Sequence, residues 1–142
     1  MFVGTYEHRI DMKGRLVLPS RFRQELGDCV VVAMGMGSYV SLYTPLEWEH
    51  LLGKLQNVPP SSGSRARDLC RVLLATANEV LFDAAGRVLL PPLLREKAVL
   101  EQDVVVVGQR NHVEIWDRER WSSYQASVFQ DFFNIAQEIE DL

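Results

Sequence analysis

Aspartate and arginine occur four residues apart at two places in the chain, each time with a glycine between them. The first pair is Asp11 and Arg15, and the second is Asp83 and Arg87. A carboxylate and a guanidinium at this spacing can form an ion pair that closes a turn, although exposed pairs contribute little stability. The same guanidinium can instead be presented by a rigid loop to a phosphate group or to the edge of a base. The residues themselves leave both interpretations open.

Residue types that carry enzymatic chemistry are scattered along the rest of the sequence. The three histidines, at positions 8, 50 and 112, lack the spacing of metal ligands. Cys29 and Cys70 lie among apolar neighbours and form no Cys-x-x-Cys pair, so we expect buried, reduced thiols. We find neither a glycine-rich phosphate motif nor a convincing catalytic triad. We therefore expect no enzymatic activity, no metal, no cofactor and no small-molecule substrate.

Short strands and helices are predicted around the two Asp-Arg pairs. Asp11 to Gly14 has the composition of a turn, and Pro19 can end a strand and open a helix that stops at Gly27. The periodicity of apolar residues predicts the other elements. The predicted strands are 6–10, 15–18, 29–33 and 39–43, and the predicted helices are 20–26, 45–55, 65–78 and one long final helix from about 117 to an acidic end at 138–141.

The two pairs belong to a longer internal repeat. Residues 11–23 match residues 83–95 at an offset of 72, with six identities in 13 positions, whereas chance gives about one. The identical pairs are Asp11/Asp83, Gly14/Gly86, Arg15/Arg87, Leu18/Leu90, Pro19/Pro91 and Arg23/Arg95. We interpret Asp11, Pro19, Asp83, Gly86, Arg87 and Pro91 as structural motif residues. The predicted organisation is a first repeat at 1–58, a Pro/Ser-rich linker at 59–64, and a helix plus second repeat at 65–142.

The two copies differ in charge although they share these residues. Residues 7–24 contain five basic and two acidic residues, a net charge of +3, whereas residues 79–96 contain two basic and three acidic residues, a net charge of −1. Lys13 at the tip of the first turn corresponds to Ala85 in the second. The N-terminal copy is therefore the one suited to meet a polyanion, although the whole chain carries −4. A further basic group, Arg65, Arg67 and Arg71, fits a solvated helix face or an interface, and we favour the interface.

These motifs resemble the MraZ family. Residues 1–19 have the pattern Met-Phe-x-Gly-x-Tyr-Glu-His-x-Ile-Asp-x-Lys-Gly-Arg-x-x-x-Pro, and the second Asp-x-x-x-Arg and the segment 112–116 also match. The resemblance covers essentially the whole chain. It implies an α+β fold of the AbrB/SpoVT class, in which β-hairpins of two copies interleave. Here two tandem AbrB-like β-hairpin/helix repeats would form one pseudo-two-fold small β-barrel, with packed helices and a C-terminal helix.

The resemblance also implies a function. It indicates a sequence-specific transcription regulator that binds double-stranded DNA at tandem promoter repeats of the division and cell-wall gene cluster. It further implies a ring-shaped homo-oligomer in the cytoplasm, associated with the nucleoid and not with a membrane. A ring would multiply weak sites through effective concentration, which accounts for an acidic chain that binds DNA.

The resemblance to MraZ proteins implies DNA contact most directly for Arg15, with Lys13 and Arg9 beside it. The full predicted DNA-binding set is Arg9, Lys13, Gly14, Arg15, Arg21 and Arg23. The second turn has no basic residue at its tip, so we expect Arg87 to pair with Asp83 or with an acid of another subunit instead.

Three other interpretations remain open: a non-catalytic structural or partner-binding ring, a small barrel enzyme, and an AbrB-like antitoxin. The charge difference between the copies argues against a symmetric scaffold. The three tryptophans, Trp48, Trp116 and Trp121, are better explained by core packing than by base stacking. Binding of duplex DNA, compared with any turnover, would separate these classes.

Overall fold

The computed structural model describes residues 1–57, 63–140 and 142. Its strands and helices confirm the predicted α+β class. The strands are β1 (Thr5–Arg9), β2 (Arg15–Val17), β3 (Cys29–Met34), β4 (Tyr39–Tyr43), β5 (Asn78–Leu81), β6 (Arg87–Leu89), β7 (Asp103–Gly108) and β8 (Val113–Asp117). The helices are α1 (Ser20–Leu26), α2 (Pro45–Gln56), α3 (Gly63–Thr76), α4 (Pro92–Lys97), α5 (Arg118–Gln130) and α6 (Phe132–Glu138).

The strands form a six-stranded antiparallel sheet and a separate two-stranded ribbon. The order in the sheet is β1-β7-β8-β4-β3-β5, and the ribbon pairs β2 with β6. If each of β1 to β4 is exchanged with its counterpart among β5 to β8, the order becomes β5-β3-β4-β8-β7-β1, which is the same order read from the other edge. The two halves of the chain therefore contribute equivalent strands. β1 pairs with β7 instead of with β2, so the turn at 11–14 does not close a hydrogen-bonded hairpin within its own half.

The crossed pairing has a packing reason. Leu16 of β2 and Val88 of β6 lie opposite each other in the ribbon, and both are fully buried. A three-residue strand buries too little surface to be stable alone, so each needs the other half of the chain to complete the layer. The ribbon and α1 cover the inner face of the sheet, where Phe22, Val30 and Ile115 are fully buried. Burial of such side chains contributes about 1.5–3 kcal/mol each.

The outer face of the sheet is covered by helices at its two sides. Trp48 of α2 and Leu73 of α3 pack against β3 and β4. Trp116 packs against Val105 and Val107, and Trp121 of α5 covers that cluster. The buried positions of Trp48 and Trp116 and the half-buried position of Trp121 confirm their predicted role in packing.

Helix α1 follows the local prediction closely. Pro19 precedes it with a φ of −53°, Phe22 and Leu26 are its buried residues, and Gly27 ends it with a φ of 81°. Glycine adopts this positive-φ conformation without the steric penalty that a Cβ atom brings. Pro91 has the same place before α4, with a φ of −58°.

Several predicted boundaries are corrected. Helix α3 begins at Gly63, inside the predicted linker, and ends at Thr76, because residues 78–81 form β5 against β3. The linker residues 59–62 lie outside the described residues. The prediction of one long final helix is wrong, because the segment is divided at Asp131 into α5 and α6. The φ of Asp131 is −119°, which is not helical, and its side chain accepts a hydrogen bond from Asn134 Nδ2. Cys29 and Cys70 are half-buried instead of buried. Across the part of the chain that the structure describes, no helix combines the length and the apolar character needed to cross a membrane.

Candidate nucleic-acid interface

The carboxylate of Asp11 organises the first turn. Its Oδ1 accepts hydrogen bonds from the backbone N–H groups of Lys13 and Arg15, both at 2.9 Å, and its Oδ2 accepts one from Arg15 Nε at 2.8 Å. The N–H of Gly14 donates to the Asp11 carbonyl at 3.0 Å, and Gly14 has a φ of 81°. A short acidic side chain that bonds the backbone two residues further on is a common way to fix a turn.

The second turn repeats this geometry. Asp83 accepts from the N–H groups of Ala85 and Arg87 at 3.0 and 2.9 Å, and from Arg87 Nε at 2.7 Å. Gly86 has a φ of 77°. The side chains of Arg15 and Arg87 are 29% and 31% exposed. The two arginines therefore have nearly the same solvent exposure and the same carboxylate partner within their turns. The predicted pairing of Arg87 with Asp83 is therefore present, but Arg15 has the matching pair.

The hydrogen bonds that the two turn carboxylates accept favour their ionised form. The N–H of Arg15 is the largest cause that lowers the pKa of Asp11, followed by the Arg15 side chain, while desolvation acts in the opposite direction. The N–H of Arg87 has the same effect on the pKa of Asp83. A charged carboxylate is the stronger acceptor, so each turn holds its arginine in one orientation at neutral pH.

The two arginines lie on one exposed face of the ribbon. Leu16 and Val88 are fully buried, so the residues on either side of them point to the outer face. In the register of the ribbon, Arg15 lies opposite Leu89, and Val17 lies opposite Arg87. Arg15 and Arg87 are thus diagonal neighbours, a relation that separates residues by roughly 7–8 Å.

The tips of the two turns lie at opposite ends of this ribbon, because its strands are antiparallel. Met12 is 103% exposed and Lys13 is also exposed at the first tip. Ala84 and Ala85 are exposed at the second. The structure therefore brings Lys13 and Arg15 together at one end of the ribbon, and Arg87 with two small apolar residues at the other.

The other three cations of the predicted DNA-binding set, Arg9, Arg21 and Arg23, lie in different surroundings. Arg9 donates through Nε to Asp103 Oδ1 at 2.9 Å, across the pairing of β1 with β7, and its side chain is 68% exposed. Arg21 is exposed on α1. Arg23 does not lie beside the first turn, because its guanidinium packs against Gly86 of the second. The sequence window that placed Arg23 with Lys13 is therefore not a spatial neighbourhood.

A residue absent from the predicted site takes the place expected for Arg23. The guanidinium of Arg95 packs against Gly14, and its Nε donates to the Leu90 carbonyl at 3.0 Å. Arg23 and Arg95 are an identical pair in the repeat, which is the sequence feature that could have pointed to a shared role. What the repeat could not show is that each arginine serves the turn of the other half.

Among the residues that the structure describes, no cluster of three His, Cys, Asp or Glu side chains has the arrangement of a metal site. The cations of the ribbon and its first turn are instead suited to an anionic partner.

Comparison with known proteins identifies the family of the chain. The family model described as "MraZ protein, putative antitoxin-like" matches residues 1–71 and 73–141. A transcriptional regulator MraZ of Limosilactobacillus fermentum is 43% identical over 136 residues, covering 96% of this chain and 94% of that protein. Proteins of the same name from Natranaerobius thermophilus and Desulforamulus reducens are each 41% identical, covering 99% and 100% of this chain and 98% and 99% of theirs. These names describe regulators and not enzymes, and the chain belongs to the MraZ family.

Proposed function

We propose that this protein is a transcription regulator, not an enzyme, that binds duplex DNA through the outer face of the β2–β6 ribbon and the first turn. The names of its relatives support the regulatory role. The observation that carries the DNA-binding surface is the placement of Arg15 and Arg87 on one exposed face, each held by an aspartate. The major groove of B-DNA admits a two-stranded ribbon, and other β-ribbon proteins use it in this way.

The chemistry of the held guanidinium supports base contact. Asp11 engages Arg15 through Nε, which leaves the terminal NH2 groups to donate to another acceptor. An arginine in this state can bind guanine O6 and N7, or a phosphate, through two parallel hydrogen bonds. The aspartate also reduces the freedom that the side chain loses on binding, which favours affinity. Because Arg87 has the same arrangement, the proposed contact extends to it as well.

The first turn forms the stronger end of the proposed surface. Lys13 adds a cation at its exposed tip, where the second turn has Ala85. Arg9 and Arg21 are exposed on the first half, whereas their repeat counterparts, Leu81 and Leu93, are exposed apolar residues. One side of the molecule thus offers charge to a polyanion, and the equivalent side of the other half offers apolar surface to a protein.

Assembly into a ring homo-oligomer is the second part of the proposal. Neither α5 nor α6 has a buried residue, and both expose large apolar side chains. Those that are exposed are Tyr124, Phe129, Phe132, Phe133 and Ile135, and Ile139 directly after α6 is exposed as well. Helix α3 exposes Leu69 and Val72 beside its three arginines. Apolar surface of this extent on a small protein marks an interaction site, and a closed assembly of identical subunits would cover it.

The finer details of fold and target rest on the resemblance to MraZ proteins. The interleaved strands, with β1 on β7 and β5 on β3, support a pseudo-two-fold barrel of two tandem AbrB-like repeats. The division into repeats at 1–58 and 65–142 stays a prediction. The proposed targets are tandem promoter repeats of the division and cell-wall gene cluster, which would place the protein at the nucleoid in the cytoplasm.

Sequencing of DNA that copurifies with the protein tests the function. We expect enrichment of one promoter region containing spaced repeats. Native mass measurement tests the assembly, with a closed oligomer well above a dimer expected. A ring that recovers only random DNA, with no preference for any duplex, would favour the structural or partner-binding interpretation, and a monomer at micromolar concentration would exclude the ring.

A further inference from the structure

Each glycine turn of the proposed DNA surface is covered by an arginine from the opposite half of the chain. Gly14 and Gly86 are buried although the tips of their turns are exposed. A Cβ atom built on Gly14 would lie 2.8 Å from Arg95 Nη2 and 2.9 Å from its Cζ. A Cβ atom on Gly86 would overlap Arg23 Nη1 and lie 2.7 Å from its Cζ. The planar guanidinium groups therefore pack directly on the turn backbone.

The crossed arrangement follows from the strand pairing. Because β1 pairs with β7, the N–H of Ile10 donates to the Gln102 carbonyl at 2.8 Å, and the first turn lies beside the segment that follows α4. Because β5 pairs with β3, the N–H of Phe82 donates to the Asp28 carbonyl at 3.1 Å, and the second turn lies beside the end of α1. Arg95 is on α4 and Arg23 is in the last turn of α1.

Hydrogen bonds tie the first of these contacts together. The N–H of Leu90 donates to the Gly14 carbonyl at 2.9 Å, and the Leu90 carbonyl accepts from Arg95 Nε at 3.0 Å. The guanidinium that covers Gly14 is thus held by the residue that also holds the Gly14 carbonyl. This arrangement restrains Arg95 and adds a contact to the turn that is independent of the bonds made by Asp11.

We infer that Arg95 and Arg23 are crossed positioning residues for DNA binding. Arg95 fixes the turn that presents Lys13 and Arg15, and Arg23 fixes the turn that presents Arg87. This inference rests on the proposed DNA-binding surface. It moves Arg23 from the set of direct DNA contacts to a supporting role, and it makes each half of the chain necessary for the contact made by the other.

Double-mutant cycles on binding test the crossing. The probe is a labelled promoter duplex taken from upstream of the division and cell-wall gene cluster. Arg95→Ala is expected to weaken binding about tenfold alone, and to add little when Arg15→Ala is already present, because residues in one network couple whereas distant ones add. Combined with Arg87→Ala, it should keep its full effect. Arg23→Ala should show the reverse pattern, with coupling to Arg87→Ala and additivity with Arg15→Ala.

Salt dependence separates positioning from contact. A residue that binds phosphate contributes roughly 0.9 to the slope of log affinity against log salt, whereas a positioning residue leaves the slope unchanged. Loss of about this much slope in Arg23→Ala that persists when Arg87→Ala is already present would show that Arg23 itself contacts phosphate and would overturn the inference. Arg95→Lys keeps the charge but not the planar group, so it should bind as weakly as Arg95→Ala. Full binding by Arg95→Lys would also overturn it.

Amide exchange gives a readout that does not depend on DNA. The Arg15 amide should exchange faster in Arg95→Ala, and the Arg87 amide faster in Arg23→Ala, each without change at the other turn. Should an alanine variant fail to fold, the lysine variants allow the same comparison. If the unsubstituted protein does not bind the duplex, the proposed function fails. If it binds but the coupling is uncrossed, only the positioning inference fails.

Discussion

The two glycine turns have nearly identical interiors and different surroundings. In each, the aspartate accepts two backbone N–H bonds and one Nε bond, the glycine has a positive φ, and an arginine from the other half covers it. Outside the turns, however, Lys13 is matched by Ala85 and Arg9 by Leu81. The difference teaches that the duplicated residues maintain a backbone geometry, while the residues around them decide which partner each turn meets.

The comparison also shows why the ion pair cannot assign a role to either arginine. Arg15 and Arg87 form the same pair with nearly the same exposure, so the pair is a property of the turn. A division of labour must therefore arise from the cations nearby and from position on the ribbon.

Removal of the two arginines is expected to have the largest effect. Arg15→Ala should weaken DNA binding by about 1–3 kcal/mol if the guanidinium makes a bidentate base contact, with the assembly intact. Arg87→Ala should weaken it less, because no cation stands at its turn tip, and should alter stability or assembly more. Operator affinity, oligomer mass and melting temperature should be measured for both. Equal losses of affinity would remove the distinction, and unfolding of Arg15→Ala would contradict it.

Substitution of glycine should destabilise the turns by a smaller amount. A left-handed backbone costs a residue with a Cβ atom roughly 1–2 kcal/mol. The control is the same substitution in Arg95→Ala, where the guanidinium that a Cβ atom on Gly14 would meet is absent. Gly14→Ala should therefore lower the free energy of unfolding in urea by more in the unsubstituted protein than in the Arg95→Ala variant, the excess reporting the overlap with Arg95. Equal losses would mean that the guanidinium moves aside without cost.

Exchange of the tip residues should change the salt dependence modestly. Lys13→Ala removes one cation that the proposed surface offers to phosphate, so the log–log slope should fall in magnitude by about 0.9. Ala85→Lys adds a cation at the equivalent exposed position. It should increase the magnitude of the log–log slope by a similar amount if the second turn also reaches the backbone of DNA. An unchanged slope in Ala85→Lys would restrict phosphate contact to the first turn.

Acid pH should reveal the smallest difference. The pKa of Asp11 and that of Asp83 are lowered in the folded protein, so their stabilising effect is present above the ordinary value of 3.8 and is lost as pH falls through the folded value. In that pH range, Asp11→Asn and Asp83→Asn should each make the free energy of unfolding fall less with decreasing pH, and by a similar amount. Unfolding curves between neutral pH and the acid range measure this. A larger change for one variant would show that the two interiors are not equivalent.

Much of the local structure could be predicted from the sequence, because it depends on residues close together in the chain. The turn at 11–14 is predicted from an aspartate side chain that bonds the backbone and a glycine that accepts positive φ. Helix α1 needs Pro19 before it, Gly27 after it, and two apolar residues on one face. The repeat of these features predicted that the second half would contain the same elements. The division of the final helix at Asp131 could have been anticipated as well, since aspartate favours helix ends.

The choice of partners was decided only by the tertiary structure. Every strand offers the same backbone N–H and C=O groups to a neighbouring strand. The local sequence therefore did not specify that β1 pairs with β7 or that β2 pairs with β6. For the same reason, the charge of a sequence window did not describe a surface: Arg23 belongs in space to the second turn, and Arg95 to the first. Residue types and their spacing determined two equivalent turns, and the long-range pairing of strands determined which arginine supports each of them.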